Sequence, residues 1–367
     1  MQFLRKRSFV IFITVSILAV LVGGYWYFYG YRPQQLLKSF QNEYKKGVDA
    51  QQAGDLNASI AAFNESLKNA PSDLAEVRRK INIASLEFRR NEGDDRVDAV
   101  KTYREILENS SLPASYRASA ISRLMNFLDA SRDEEFAKKE IFKGELLEPF
   151  LKEGDVWLAE RRAYELSSQL SPSPTTAFLI AGWYNRQLLE NKSLTQTAKT
   201  EYLAKLKEWT RKGESLLPLM ASQNYSKSQA AFAYMLAGIE KGGIAQFFDR
   251  NYSPSEYAFK EALKFLGDVS NDADSYNLGF FVRFNYAAML AEAFGGKRLT
   301  DIRVLLQPVI APPPPQFQNY PFSFYEFLEN ENSPAHKDYI ARKRIVLLSG
   351  LMPEFKSFLD SRGLKYE

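Results

Sequence analysis

The chain of 367 residues has no cysteine and a single histidine, His336. Without thiols there are no disulfides, thiolate metal sites, cysteine nucleophiles or lipidated N-terminal cysteine. With one imidazole, a zinc site has at most one nitrogen ligand, and a Ser–His–Asp relay would have to use His336. That residue lies in SPAHKDY, a polar, proline-flanked stretch that reads as a solvated loop or helix start. Phosphate-cradling glycine loops and calcium-loop patterns are also missing. Gly242-Gly243 and Gly295-Gly296 follow helical runs and read as helix C-caps. The acidic clusters Asp94-Asp95, Asp133-Glu134-Glu135 and Asp272/Asp274 fall in polar turns or on charged helix faces, where a solvated surface is the ordinary reading. The expectation is a protein that is not an enzyme and uses neither metal nor cofactor.

Almost no alternating apolar–polar run occurs, so strands are not expected and the fold class is all-α. A hydrophobic content of 45% with 14% aromatic residues is ample for a packed core and excludes wholesale disorder. The net charge of +4 is carried by one end. Residues 1–32 hold four of the 48 basic residues and none of the 44 acidic ones, which leaves the rest balanced at 44 against 44. A neutral body offers no excess positive field to a phosphate backbone, so nucleic acid is not an expected partner.

That basic end introduces the one long apolar run. From Ser8 to Tyr31 there are 24 residues without a charge. At about 1.5 Å per residue such a helix spans the roughly 30 Å hydrocarbon core of a bilayer. Its last third, Tyr25, Trp26, Tyr27, Phe28, Tyr29 and Tyr31, forms the aromatic belt expected at a membrane–water boundary. The run exceeds the apolar region of a cleaved signal peptide, and the small-residue site LVGG is followed by bulky aromatics. Residues 8–31 therefore read as an uncleaved transmembrane helix in contact with lipid, and 1–7 as a short cytoplasmic tail. Arg5, Lys6 and Arg7, packed before the span, point the N-terminus to the cytoplasm and residues 33–367 to the other side of a cell (inner) membrane.

Beyond the anchor, GVDAQQAGDLNASIAAFNESLKNAP (47–71) spaces small residues, a Gly-Asp corner, an aromatic and a proline at regular intervals. Gly54 suits the left-handed end of one helix, Asp55 or Asn57 the cap of the next, and Pro71 the stop. Ile60, Phe63 and Leu67 recur at helical spacing, with small Ser59, Ala62 and Ser66 between them. The segment resembles a tetratricopeptide repeat (TPR). With position 1 at Phe40, the pattern's small residues at 8, 20 and 27, aromatic at 24 and proline at 32 fall on Gly47, Ser59, Ser66, Phe63 and Pro71. The usual tryptophan at position 4 is Glu43 here, with Tyr44 beside it. Ala99, Tyr103 and Ile106 repeat Ser59, Phe63 and Ser66 at an offset of 40. The period of such repeats is 34, and the six extra residues are expected in the polar turn RRNEGDDRVD.

Residues 34–113 thus read as two TPR-like units, and 114–310 as a further array of helical hairpins. SPSP at 171–174 separates two of its helices. Near its end Phe259 and Ala262 match positions 24 and 27, and Ala288 and Gly295 match positions 8 and 15. Residues 311–367 form a Pro/aromatic-rich C-terminal cap: PPPP at 312–315 breaks the array, and the aromatics of FQNYPFSFYEFLENE plug its open end. YIARKRIVLLSGLMPEFKSFLDSRG closes the chain as a helix pair broken at Gly350 and Pro353.

The resemblance implies a concave groove lined by positions 2, 5, 9 and 12 of each hairpin's first helix. These are Gln41, Tyr44, Val48 and Gln51 in the first unit, and Val282, Asn285, Met289 and Glu292 in the late one. It also implies a scaffold or adaptor that holds one or more proteins, expected to be membrane or envelope components. The layout is similar to bacterial inner-membrane proteins with a periplasmic repeat domain that assist secretion or envelope assembly. The alternative is an anchored binder of a glycan or small molecule, with Trp183, Tyr184, Trp209 or the aromatics of 317–327 stacking on a ring.

Overall fold

The computed structural model describes residues 32–222, 225–267, 272–318, 320, 322–330 and 333–366. The expected tail and transmembrane helix, residues 1–31, lie outside the described residues. Among those described, no helix is long and apolar enough to cross a membrane. The chain divides into two compact units, residues 1–99 and 100–367. Every regular element among the described residues is helical.

In the first unit α1 (Arg32–Gln52), α2 (Leu56–Leu67) and α3 (Asp73–Arg90) pack in sequence order. Gly54 turns the chain between α1 and α2 at φ +82°, a backbone region that favours glycine. Asp55 then caps α2 by accepting the Ala58 N–H at 2.8 Å. Where the two helices cross, the Ser59 hydroxyl donates to the Gly47 carbonyl at 2.8 Å. The Phe63 ring packs against Gly47, where a β-carbon would overlap it. Phe63 is 1% exposed and packs with Ile60, Ile83 and Leu86. Burying such a ring contributes roughly 1.5–3 kcal/mol.

The turn after α3 is shorter than the sequence suggests. α3 runs through Arg89 and Arg90, and α4 (Asp95–Glu108) starts inside the stretch expected to be loop, so most of the insertion becomes about one extra helical turn. Asn91 ends α3 in the left-handed conformation, φ +56°. Arg90 then forks onto Asp95, Nε to Oδ2 at 2.7 Å and Nη2 to Oδ1 at 2.6 Å. The paired acids therefore serve the turn. Asp133 and Asp272 likewise cap α6 and α13.

The second unit runs through α5 (Ala114–Ser131), the short α6 (Glu134–Phe136) with a π-turn (Ala137–Ile141), and α7 (Glu148–Lys152). Then come α8 (Val156–Leu170), α9 (Pro174–Glu190), α10 (Gln196–Ser222), α11 (Lys227–Phe247), α12 (Ser253–Leu266), α13 (Ala273–Phe294) and α14 (Leu299–Ile310). The end is built from α15 (Ser323–Glu329), α16 (Pro334–Lys337), α17 (Tyr339–Leu351) and α18 (Pro353–Ser361). The main pairings are α5 with α8, α9 with α10, α11 with α12 and α13 with α14.

The Gly–Ser–Phe contact of the first hairpin recurs in α11 and α12. Ser255 donates to the Gly238 carbonyl at 2.6 Å. A β-carbon on Gly238 would stand 2.9 Å from the Phe259 ring, which is fully buried. Phe259 and Ala262 thus occupy their expected places, and their partner glycine is Gly238. Ser167 of α8 makes a related bond to the Ala118 carbonyl of α5, 3.1 Å.

Gly242 and Gly243 do not cap a helix. Both are buried within α11, because the Asn185 side chain fills the space a Gly243 β-carbon would take. Gly295 does cap α13, at φ +57°. The break between the last two helices falls at Met352, with Gly350 still inside α17. The aromatics after the proline run are core: Phe317, Tyr320, Phe322 and Phe324 are buried, and Phe317, Phe322 and Phe324 meet Tyr276, Phe280, Phe281 and Phe284 of α13 edge-on or tilted. His336 is half-buried, not solvated. Its ring lies 4.8 Å from that of Tyr366, and its Nε2 is 2.7 Å from the Leu328 carbonyl oxygen.

Two glycines give opposite expectations. Gly238→Ala forces a methyl into the Phe259 ring, and overpacking of this kind costs about 1–3 kcal/mol. Gly350→Ala, with nothing within 4 Å of the new carbon, is neutral or stabilises by about 0.5–1 kcal/mol. Urea unfolding of both variants distinguishes the crowded helix crossing from an ordinary helical position.

Candidate functional site

The two expected groove sets have different fates. On α1, Gln41 and Tyr44 are exposed, and Val48 and Gln51 are half-buried. Leu37, one turn before Gln41, is 42% exposed and extends an apolar strip on that helix. Tyr44 stacks against Phe63, centroids 5.7 Å apart, and carries the Arg79 guanidinium 3.6 Å over its ring. Arg79 is itself buried, which lowers its pKa despite a hydrogen bond to Tyr44.

The late set is not an open groove. Val282 is 0% and Met289 4% exposed, so both belong to the core. Asn285 and Glu292 face a neighbour that the repeat pattern does not foresee, the chain's own α17. Arg344 of α17 donates from Nη1 to Asn285 Oδ1 at 3.2 Å. Its Nε and Nη2 each reach a Glu292 carboxylate oxygen at 3.3 Å. α13 is apolar nearly all round because α17 covers the side that would line a groove.

The start of α17 is held just as firmly. Asp338 caps the helix by accepting the Ile340 and Ala341 N–H groups through Oδ1, at 2.9 and 3.1 Å. Its Oδ2 accepts from Arg132 Nη2 at 3.0 Å, and Arg186 Nε stands 3.9 Å away. Beside this clamp lies a cavity of about 330 Å³, with two others of about 240 and 530 Å³ sharing lining residues with it. The central cavity draws polar side chains from six helices: Asp129 (α5), Glu160 and Tyr164 (α8), Asn185 and Arg186 (α9), Glu240 (α11), Asn285 (α13), and Asp338 and Arg344 (α17). Phe178, Trp183, Phe281, Phe284 and Phe327 supply apolar wall.

The local sequence explains how polar groups come to lie there. α11 is small and apolar over AAFAYMLAGI and then places Glu240 on a buried face. Asn185 Nδ2 donates to Glu240 Oε2 at 3.1 Å. A β-carbon on Gly182 would sit 3.1 Å from Glu240 Oε1, so glycines on both helices make room for the pair. Asn185 Oδ1 and Arg132 Nε have no hydrogen-bond partner, whereas the Tyr164 hydroxyl and the Glu160 carboxyl both face Asp129 and interact with it. Asp129 Oδ1 also stands 3.7 Å from guanidinium nitrogens of Arg132 and Arg186. Among the described residues no cluster of His, Cys, Asp or Glu could hold a metal ion.

Burial dominates the electrostatics. It pushes the Glu240 carboxyl up to about 8, against the pull of Asn185, Arg344 and Arg186. Burial, reinforced by Asp129, also raises Glu160 well above the carboxylate range, although Arg186 and Arg132 oppose it. Glu190 is raised by burial and by Asp338. The Tyr164 phenol is raised by burial, then by Asp129 and Glu160. Burial alone would lower Arg186, but Asp129, Glu160, Asp338 and Glu190 together raise it.

Trp183 and Tyr184, read above as stacking surfaces for a sugar, are largely committed to packing. Trp183 Nε1 donates to the Trp157 carbonyl at 2.7 Å, and Trp183, Tyr184 and Tyr202 meet one another at 5.1–5.8 Å. Trp209 carries Lys212 Nζ 4.2 Å from its ring centre. The central cavity has little sequence signature. Its one legible signal is a lone glutamate, Glu240, in an otherwise small and apolar helix.

A pH dependence follows from these raised carboxyls. Unfolded, Glu240 ionises near its ordinary 4.5; folded, it holds its proton to about 8. The folded state then binds the extra proton, so stability is full below pH 4.5, falls between 4.5 and 8, and levels off above. Each pH unit in that window removes about 1.4 kcal/mol, discounted by structural relaxation. Glu240→Gln keeps the neutral form and the Asn185 contact, so it flattens part of the fall; Glu160→Gln flattens a further part. Thermal unfolding from pH 5 to 8.5 checks both.

No family model matches the sequence, and no curated protein does. Among solved structures the chain is similar to a tetratricopeptide repeat protein from Parabacteroides merdae, at 12% identity and a TM-score of 0.32, over 88% of this chain and 98% of that one. The TPR-like character rests on the hairpins themselves, which are all-helical and locked at Gly47–Ser59–Phe63 and Gly238–Ser255–Phe259.

Proposed function

We propose that the chain is a single-pass membrane-anchored scaffold or adaptor that binds another protein through its first helical unit. Residues 8–31 would anchor it in lipid with the N-terminus cytoplasmic, and the helical body would work outside the cytoplasm of a cell (inner) membrane, in envelope assembly or secretion. The observation that carries the binding role is the contrast between the two groove sets. On α1 the strip Leu37–Gln41–Tyr44–Val48–Gln51 is exposed or half-exposed, whereas the corresponding face of α13 is buried and bound by Arg344. An exposed apolar strip rimmed by glutamines suits an amphipathic helix or extended peptide. Tethering such a surface beside a membrane-bound partner makes the encounter effectively intramolecular, so weak contacts suffice. The reading includes no catalysis and no cofactor.

The test uses the full-length tagged chain in detergent-solubilised membranes of its host. Gln41→Glu with Gln51→Glu places two charges on the strip without touching the core. The partner recovered with the wild type is expected to fall at least tenfold with this variant, while the thermal midpoint stays within about 2 °C, as surface changes of up to 0.5 kcal/mol allow. Equal recovery with both chains would remove α1 from the interface.

A further inference from the structure

The cavity of about 240 Å³ has a lining whose charge does not balance. Three basic side chains line it, Arg250, Lys343 and Arg344, against a single carboxylate, Glu292. Arg344 already takes up that carboxylate, with Nε and Nη2 each 3.3 Å from one of its oxygens. Arg250 and Lys343 are left, and neither side chain makes an ion pair or hydrogen bond with a described residue. The acid next to Arg250 in sequence, Asp249, is turned to its own loop, where Oδ1 accepts the Asn251 N–H at 2.9 Å. Glu240 does not line this cavity.

Both free cations are exposed, and an exposed cation alone needs no partner. What singles out Arg250 is its backbone. At φ +57° it lies in the left-handed region that glycine and asparagine adopt readily and other residues rarely. Among the described residues three non-glycines do so, Asn91, Arg132 and Arg250, and each donates its N–H to a carbonyl at the end of a helix. Asn91 is the residue type expected there. Arg132 is not, and its guanidinium is used: it holds Asp338 of α17 at 3.0 Å. Arg250 repeats the arrangement after α11, on a cavity that α17 again lines, with no carboxylate left to receive it. Gln246, four residues earlier and half-buried, also lines the cavity, and its amide bonds no described residue.

We infer that this cavity binds a small oxyanion carrying two negative charges, a short dicarboxylate or a phosphate monoester. Arg250 and Lys343 supply the two charges, from the connection between α11 and α12 and from α17. The Arg250 guanidinium offers the forked donor geometry that suits a carboxylate or phosphate, and the Gln246 amide adds a neutral donor. Tyr252, Met289 and Leu347 give the apolar wall. The volume lies below the roughly 300–1,000 Å³ of pockets for drug-sized ligands, so the anion has only a few heavy atoms. The site lies wholly in the second unit and is independent of the protein-binding strip on α1.

Isothermal titration of the full-length chain in neutral detergent tests this, with succinate and inorganic phosphate as probes at about 0.01 M ionic strength, where screening is weak. Expected are one saturable site for at least one probe, a raised thermal midpoint, and affinity that falls as sodium chloride is added. Binding of succinate alone assigns a dicarboxylate, binding of phosphate alone a phosphate, and binding of both the oxyanion chemistry they share. Succinamide, matched in length but uncharged, should not bind. Arg250→Gly removes the guanidinium and gives the backbone the residue its φ favours, so it is expected to keep or raise the thermal midpoint and to lose at least tenfold in affinity. Lys343→Gln, an exposed change, should lose several-fold with the midpoint unchanged. Absence of binding by both anions at millimolar concentration, equal binding of succinamide, or undiminished binding by Arg250→Gly or Lys343→Gln would each overturn the inference.

Discussion

Two helices can approach closely only where one of them lacks a side chain, and the fold depends on that condition being met again and again. At Gly47 and Gly238 the missing β-carbon admits a phenylalanine ring from the partner helix, and a serine one turn earlier bonds the same glycine's carbonyl. The two parts are complementary. The ring supplies apolar burial and the hydroxyl fixes how far along its partner the helix sits. A helix packed by apolar contact alone could slide by a turn; one tied to a single carbonyl has one register. Each hairpin can therefore tolerate different connections and still present its outer faces in the same relation.

This explains why the hairpins were legible and several connections were not. Phe63, Ser59 and Gly47 identify a crossing from sequence because their types and spacing are set by contact within one hairpin. The connecting segments answer to other demands. RRNEGDDRVD is rich in loop-forming residues, yet Arg90 and Asp95 form a two-point ion pair that lets both flanking helices run into it. Gly242-Gly243 resembles a helix end by composition. Its true cause is Asn185, a residue far off in sequence that occupies the space beside Gly243. No local reading reaches a reason of that kind.

The groove illustrates the same division. Positions on α1 follow the helical repeat, with Gln41 and Tyr44 exposed and Val48 and Gln51 half-buried. Val282, Asn285, Met289 and Glu292 hold the equivalent positions on α13, but their burial is decided by α17, which arrives from the end of the chain. Val282 and Met289 already hint at this, since apolar residues on a supposed open face need something to cover them. Arg344 and Asp338 are the sequence's other trace of the arrangement. On a surface helix they would be ordinary solvated charges, and their meaning appears only when Glu292, Arg132 and Arg186 are placed opposite.

Covering α13 in this way has an energetic consequence for the interior. An apolar helix laid in the same place would bury α13 without taking any carboxyl out of water. Instead α17 brings Asp338 and Arg344 to a region that already holds Glu160 and Glu240, whose carboxyls burial raises. Buried ionisable groups are often replaceable by hydrophobic residues with no loss of stability, so packing alone does not require them. The glycines around Glu240 reinforce the point: Gly182 and Gly243 give up side chains to accommodate the Asn185–Glu240 pair, leaving Asn185 Oδ1 without a donor.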